Sequence, residues 1–525
     1  MPPTPLSTPL LRFLNQISKP VTFNTYYSHN LSRTYTTLSL INPSTATPLP
    51  SVLSSTPADV SSAVHAAQEA LHGHWGQLSG TERREVLRTI ADGIEKRLQD
   101  FVQVEVSNAG MVKKDARDEV IDAVECFRFF AGYADKRYGE SYSALSRLYH
   151  SYTVPSPYGI TALITPFNYP LLLACWKLAP ALACGNTVLL KPAPQTPLAA
   201  LLLGKVIEDV GVDKGVVNVL PGGRDVGLEV LKNEDVRMVS FTGSLEGGRG
   251  VLRTIGNVEE NLIPKSIDRS RVKDANAMEF TKPTSTIKKV LLELGGNSPL
   301  IVFSDADLSA AVEDVVMASF SNAGQNCCAG KRLYIHAAVY STFVNKLYDR
   351  VKSLRVGDAG KDDTEVGPVV NEIALNGIVE WVERKVEAKK VEVIYGGKRM
   401  DRNGFFVYPT LLKPMTDANA EFEADEVFGP VLTIMSFDSI EEVITSANLS
   451  GYGLAAGVWT SDNSKAEYCT SKLNAGVVWV NCYNATHPYL CFGGMGNSGF
   501  GKELGVEAMR EYSMLKSVSV KRDWK

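Results

Sequence analysis

The sequence contains no apolar run approaching the ~18 residues of a membrane-spanning helix, which speaks against a transmembrane anchor. It has no surplus of positive charge: 54 lysines and arginines face 58 aspartates and glutamates, a formal net charge of -4. A surface built to neutralise a phosphate backbone is therefore not expected, and nucleic acid is not a candidate partner. Eight cysteines in 525 residues include no CxxC pair. That is too few for a disulfide scaffold and fits reduced thiols in an intracellular protein. Of seven histidines only His72 and His74 lie close together. Two residues apart on a helix, they point to different faces, and no metal site is read there. Acids are missing altogether before Asp59, in a stretch rich in Ser, Thr and Pro with Arg12, Lys19 and Arg33 spread through it. Residues 1–40 read either as a mitochondrial transit segment or as a disordered tail, leaving the cytoplasm and the mitochondrial matrix both open.

What remains is globular chemistry, 44% hydrophobic and 21% charged, long enough for two to four domains at roughly 150 residues each. Helical signals begin at TPAD (56–59), a Thr N-cap followed by Pro and an acid. A second helix is expected from about Thr81, with Leu87, Ile90, Ile94, Leu98 and Phe101 on one face, and a third over 117–136. Beyond residue 158 short apolar runs alternate with helical stretches: 159–165, 186–191, 215–220, 236–241 and 288–292 read as buried parallel strands, with helices near 196–210 and 224–232. A second alternating block runs from 299–303 to 476–481. The segments 148–154 and 516–522 alternate like strands with one dry face. Lacking a nearby hairpin partner, each is expected to pair with the sheet edge of another subunit.

Six fragments carry chemistry, four of them at strand ends, where ligands bind in open parallel sheets. LELGGNSP (292–299) places Glu293 before a glycine turn, as a carboxylate facing a cleft or as a solvated acid. NAGQNCCAG (322–330) surrounds Cys327 and Cys328 with small residues. Such a thiol is a nucleophile if a base or a lowered pKa makes it a thiolate, and otherwise an inert buried cysteine. TPFNYP (165–170) fixes the Asn168 amide between prolines, either as an oxyanion donor or as the cap of its own turn. FTGSLEGG (241–248) is a strand, a glycine turn and a helix start, with Ser244 either capping the helix where it meets a phosphate or serving a plain capped helix. KPAPQTP (191–197) ends a strand on Lys191, and DEVFGPV (425–431) sets Glu426 and Phe428 before a Gly-Pro turn.

Taken together, in this order, these fragments resemble the NAD(P)-dependent aldehyde dehydrogenase superfamily from about residue 40 to the C-terminus. LELGGNSP and GQNC look like the family's two signature motifs, 34 positions separating Glu293 from Cys327. SANLSGYGLAAGVW (446–459), GVVWVNCY (476–483) and FGGMGNSGFGKELG (492–505) look like further family segments. The resemblance implies an α/β fold: a Rossmann-type cofactor domain (41–140 and 159–295), an α/β catalytic domain (296–483), and a small β oligomerisation arm (141–158 and 484–525) that makes a homodimer or homotetramer.

It also implies oxidation of a small-molecule aldehyde to the acid. Cys327 would be the nucleophile, Asn168 and the Cys327 N–H the oxyanion donors, and Glu293 the base that hydrolyses the thioester, with Glu503 as a proton relay. Lys191, Gly243, Ser244, Glu426 and Phe428 would hold the cofactor. Tyr169, Leu173, Trp176, Tyr483, Asn484 and Thr486 would line the substrate pocket. Such an aromatic-rich funnel suits medium aliphatic or aromatic aldehydes or a quaternary ammonium aldehyde.

Three departures stand out. Pro194 occupies a position where many relatives carry a Glu that repels a 2′-phosphate, so NAD is favoured over NADP only slightly. Leu245 replaces a commoner Thr. Residues 255–283 read as an insertion between the FTGS helix and the LELGG strand, present in the protein or retained in the gene. Two other readings compete: a non-catalytic protein on the same fold, and acyl transfer to CoA. The presence of Asn168, Glu293 and Cys327 together weighs against the first, and a water-activating Glu293 against the second.

Overall fold

Local signals set the first elements. Asp59 N–H donates to Thr56 Oγ1 (3.3 Å) and Thr56 N–H to the Asp59 carboxylate (2.7 Å), a capping box that opens helix α1 (Pro57–His72). Ser79 and Glu82 repeat the device for α2 (Gly80–Lys96). Helix α3 (Lys113–Ala134) buries Val120, Val124, Phe127 and Phe130, the stripe its spacing requires, and begins four residues before the expected 117. The computed structural model describes residues 36–136, 138–142, 148–256, 287–415 and 426–522.

Alternation of strand and helix then builds two sheets. In chain order come β1 (Tyr149–Pro157), β2 (Ile160–Ile164), α4 (Pro170–Ala183), β3 (Thr187–Lys191), α5 (Leu198–Asp209), β4 (Val217–Val219), α6 (Arg224–Lys232), β5 (Val236–Thr242), α7 (Leu245–Gly256) and β6 (Lys289–Glu293). Next are β7 (Ser298–Val302), α8 (Leu308–Phe320), β8 (Gly330–His336), β9 (Val391–Tyr395), β10 (Thr410–Pro414), β11 (Val431–Phe437), β12 (Ala455–Trp459), β13 (Val477–Val480), β14 (Gly499–Phe500) and β15 (Ser513–Lys521). The first sheet runs β14-β6-β5-β2-β3-β4, parallel except for β14; the second runs β9-β10-β11-β8-β7-β12-β13, parallel except for β9. Every residue of β2, β3 and β7 is buried, as continuous apolar strands covered on both faces must be.

Three expectations need correcting or limiting. The strands at 148–154 and 516–522 pair with each other: β1 and β15 form an antiparallel ribbon from Ser513 opposite Pro157 to Lys521 opposite Tyr149. Each finds its hydrogen-bond partner in its own chain. The stretch assigned to the arm also reaches into the first sheet, where β14 satisfies the outer edge of β6 with Gly499 opposite Glu293. The expected leader and insertion lie largely outside the described residues. At their described ends, Thr37–Leu38 pairs with Val52–Leu53 and Leu40 is buried, while Ile255 and Gly256 close α7. Among the described residues no helix is long and apolar enough to cross a membrane.

Candidate active site

The loop between α8 and β8 carries Cys327 and is tightly held. Asn322, Ala323 and Gly324 take left-handed backbone, with φ of 48°, 55° and 67°. Two non-glycine residues in that region store strain that the surroundings must offset. Gln325 provides the ties. Its carbonyl accepts from Asn168 Nδ2 (3.0 Å), its Oε1 from Val370 N–H (2.9 Å), and its Nε2 donates to the Asn322 carbonyl (3.1 Å). Asn322 Nδ2 returns a bond to the Asn168 carbonyl (2.8 Å). Thus Asn168, from the turn after β2, and the cysteine loop, from the second sheet, are fixed to one another.

The LELGG turn threads between them and Glu426. A Cβ on Gly296 would stand 2.5 Å from the Cys327 carbonyl oxygen, and one on Gly295 would stand 1.9 Å from Glu426 Oε2. At Gly296 the near atom is backbone, which leaves no room for a side chain; at Gly295 it is the tip of the Glu426 side chain, which an added methyl would have to displace. Gly296 N–H also donates to Glu426 Oε1 at 3.2 Å. Burial lifts the Glu426 carboxyl to about 7, opposed by that amide and by Lys331.

Cys327 is shared by two cavities. One, about 510 Å³, is lined by Asn168, Gly243, Ser244, Gly295, Glu426 and Phe428 among others. It lies at the carboxyl ends of the first sheet's strands and at the start of α7, where Ser244 Oγ accepts from Gly247 N–H (3.1 Å). Its size and its place beside a helix N-terminus fit a dinucleotide. The other, about 180 Å³, is lined by Tyr169, Leu173, Trp176, Asn484 and Thr486, with Phe492, His487 and Asp122.

Some expected residues lie elsewhere. Tyr483 does not line the second cavity. Its ring packs on Trp479 (4.5 Å between centroids) and stacks near Trp459, and its hydroxyl donates to the Cys328 carbonyl (2.6 Å), so it buttresses the loop from behind. Tyr483 lies beyond the end of β13, after Asn481 in left-handed backbone (φ 53°), and there its ring turns into the core. Lys191 lines neither cavity. Its Nζ donates to the Pro192 carbonyl (3.1 Å), and burial lowers its pKa to about 8, with Asp225 opposing.

Glu293 is buried at the end of β6, in register with Thr242 and Gly499. It faces away from both cavities and lies against Gly493, where a Cβ would be 2.5 Å from Oε1. Neither carboxylate oxygen has a hydrogen-bond partner among the described residues. Burial, then Glu503, pushes this carboxyl well above the usual range, while Lys177 and Lys502 pull the other way. Glu503 is ion-paired to Lys177, which also donates to Ser240 Oγ (3.0 Å). The Cys327 thiol is likewise held well above 9, first by Cys328 beside it, then by burial and the charges of Glu293 and Glu426.

Sequence reasoning missed Lys177, Phe492 and Asp122. Lys177 did leave a signal, as a single cation in an otherwise apolar fourteen-residue helix whose every residue is buried. Buried charges demand partners. Among the described residues no cluster of three or more His, Cys, Asp or Glu forms a metal site.

The sequence profile of the aldehyde dehydrogenase family matches residues 30–266 and 275–518. An aldehyde dehydrogenase of Aspergillus niger is 36% identical over 92% of this chain and 91% of its own length. Human retinal dehydrogenase 2 is 38% identical over 91% and 88%. The structure of an aldehyde dehydrogenase from Bacillus cereus, solved as an NAD+ complex, superposes with a TM-score of 0.90 at 34% identity, covering 99% of this chain and 100% of that one. The chain belongs to the aldehyde dehydrogenase family. It is an oxidoreductase that converts aldehydes to carboxylic acids.

Proposed function

We propose that Cys327 is the nucleophile, Asn168 the oxyanion donor and Glu293 the hydrolytic base of this oxidation. The observation that carries the reading is that Cys327 belongs to the lining of both cavities. A thiol in that position meets an aldehyde from one side and an oxidant from the other. The Asn168 NH2 has two hydrogens; one is used on Gln325, and the second is free to meet an oxyanion, a contact worth roughly 3–4 kcal/mol.

The Cys327 thiol gives up its proton to water, the sulfur anion adds to the carbonyl carbon as the C=O π bond breaks, and the oxygen gains the charge that Asn168 and the Cys327 N–H hold. A dinucleotide, when bound, supplies the two-electron acceptor for the hydride lost from the tetrahedral adduct. Gly243, Ser244, Glu426 and Phe428 would hold it, with Lys191 reaching its adenosine end. Cys327 is then a thioester. Glu293 takes a proton from water, hydroxide adds to the acyl carbon, and the C–S bond breaks to return the thiolate and release the acid. A carboxyl whose pKa is raised is the stronger base once ionised. It must swing from Gly493 to reach the acyl carbon. Glu503, paired with Lys177, then relays the proton onward. Hydrolysis is favoured over transfer to CoA because this base is retained.

NAD is favoured only slightly over NADP, because Pro194 stands where an acid would repel a 2′-phosphate. Walls of Tyr169, Leu173 and Trp176 suit apolar aldehydes. The β1–β15 ribbon is the proposed contact of a homodimer or homotetramer, and eight free thiols suit the cytoplasm or the mitochondrial matrix. An aldehyde panel followed at 340 nm with each dinucleotide tests the reading; equal turnover by wild type and Cys327→Ala would overturn it.

A further inference from the structure

The 180 Å³ cavity is a funnel with apolar walls and one acid. Its inner end is Cys327; Trp176 and Phe492 meet edge to face at 5.2 Å along the wall, with Tyr169 beside them. Asp122, an exposed residue of α3, stands in this lining as its single carboxylate, and no Lys or Arg joins it there. Asp122 makes no hydrogen bond or salt bridge among the described residues. The nearby Arg128 is committed to Asp92, Glu95 and Glu125, and Lys114 to Asp118. His487 faces Asp122 from the loop that closes the funnel, and Asp118 and Glu125 add negative charge from the same helix. Partial desolvation raises the Asp122 carboxyl to about 6, against the pull of His487, so it is an anion at pH 7.5.

A carboxylate with no salt bridge to Lys or Arg, sharing a cavity with aromatic walls, is a receptor for a cation: the acid supplies Coulomb attraction and the rings a cation–π surface. Since Cys327 claims the carbonyl carbon at the inner end, the charge must sit at the far end of the substrate. We infer that Asp122 is a specificity-determining residue that selects aldehydes bearing an ammonium group at the end remote from the carbonyl. This inference rests on the aldehyde-oxidation reading and deepens it. Anionic semialdehydes are rejected by the same charge.

The test compares 4-(trimethylammonio)butanal with its uncharged carbon isostere 5,5-dimethylhexanal and with succinic semialdehyde, in wild type, Asp122→Asn and Asp122→Glu. The readout is the ratio of kcat/KM values. In wild type the cation is preferred over the isostere and the anion ranks last. Asp122→Asn lowers the cation-to-isostere ratio about tenfold, mainly through KM, and Asp122→Glu restores most of it. Raising ionic strength compresses the ratio in wild type but not in Asp122→Asn, as screening of a charge at an open mouth requires. Oxidation of the isostere with a ratio that ignores both the substitution and the salt overturns the role of Asp122 and leaves the enzyme class intact. Oxidation of none of the three aldehydes overturns both.

Discussion

Lys177 and Glu503 form an ion pair buried from solvent on both sides, with side-chain exposures of 0% and 1%. The pair ties α4, which follows the Asn168 turn, to the segment packed against Glu293. Ionic burial is costly unless each charge keeps its partner. Lys177 adds Ser240 Oγ as a second acceptor. Lys177→Met therefore strands a buried carboxylate and is expected to cost about 3–5 kcal/mol, read as a lowered urea midpoint. Lys177→Met with Glu503→Leu removes both charges and should recover much of that loss. A double variant as unstable as the single one would mean that the pair contributes nothing beyond its packing.

Cys327→Ala should lower cofactor reduction by roughly 10³-fold or more while dinucleotide binding persists, because the thiol is shared with the larger cavity without closing it. Glu293→Gln separates the two half-reactions. Acylation needs no base at residue 293, whereas hydrolysis does. A stopped-flow trace should show a burst near one equivalent of reduced cofactor per site, then a steady state slowed about 10²–10⁴-fold. In wild type the ionised form of Glu293 is the active one. Its raised pKa makes kcat fall as pH falls, and that acid limb should be absent from the Glu293→Gln profile.

How much of this could be read beforehand follows from which signals are local. Asn168 and Glu293 stand at strand ends and Cys327 in the loop before β8, beside prolines and glycines, so a linear motif reports both residue and setting. The glycines of LELGG were visible, but the reason for them was not: Cys327 approaches Gly296 from 31 positions on and Glu426 approaches Gly295 from 131 positions on, and only the folded chain brings them there. Tyr483 shows the opposite failure. An aromatic beside a motif looked like pocket wall, yet past the left-handed Asn481 the chain turns it into the core. Asp122 lies on a helix whose exposed face is full of charges, and no sequence pattern separates the one residue at the funnel mouth from its neighbours. The ribbon partners β1 and β15 each displayed strand alternation, but over 350 residues of intervening chain hid the pairing.

Two more buried acids hold α4 from its other side. Leu171 N–H donates to Glu105 Oε1 (3.2 Å) and Leu172 N–H to Glu119 Oε1 (3.0 Å), capping the first turn of the helix. Burial lifts both carboxyls, Glu119 to about 8, with the neighbouring charge adding to the rise at Glu105. A carboxyl raised in the folded state stabilises the fold below the unfolded value near 4.5, and that contribution is lost as pH rises through the folded value. Stability should thus decline between about pH 5 and 8. Glu119→Gln keeps the acceptor for Leu172 and cannot ionise. At pH 8.5 it should be the more stable protein by about 1–3 kcal/mol, and at pH 5 the difference should vanish. Parallel pH–stability curves for the two proteins would rule the buried titration out.

The glycine turn offers the sharpest separation of cofactor from substrate effects. At Gly295 an added methyl would fall 1.9 Å from Glu426 Oε2, so Gly295→Ala must push Glu426 away from the Gly296 N–H it now accepts from. Glu426 lines the larger cavity only, whereas Cys327 keeps its place between the two. The expected signature is a KM for dinucleotide raised about tenfold, with the KM for aldehyde changed far less. Trimming the displaced side chain relieves the clash, so Glu426→Ala in the Gly295→Ala background should do no further harm, although Glu426→Ala alone weakens dinucleotide binding. Such non-additivity is what two residues in direct contact give. Additive losses in the double variant would place the effect of Gly295→Ala in the turn itself and not in Glu426.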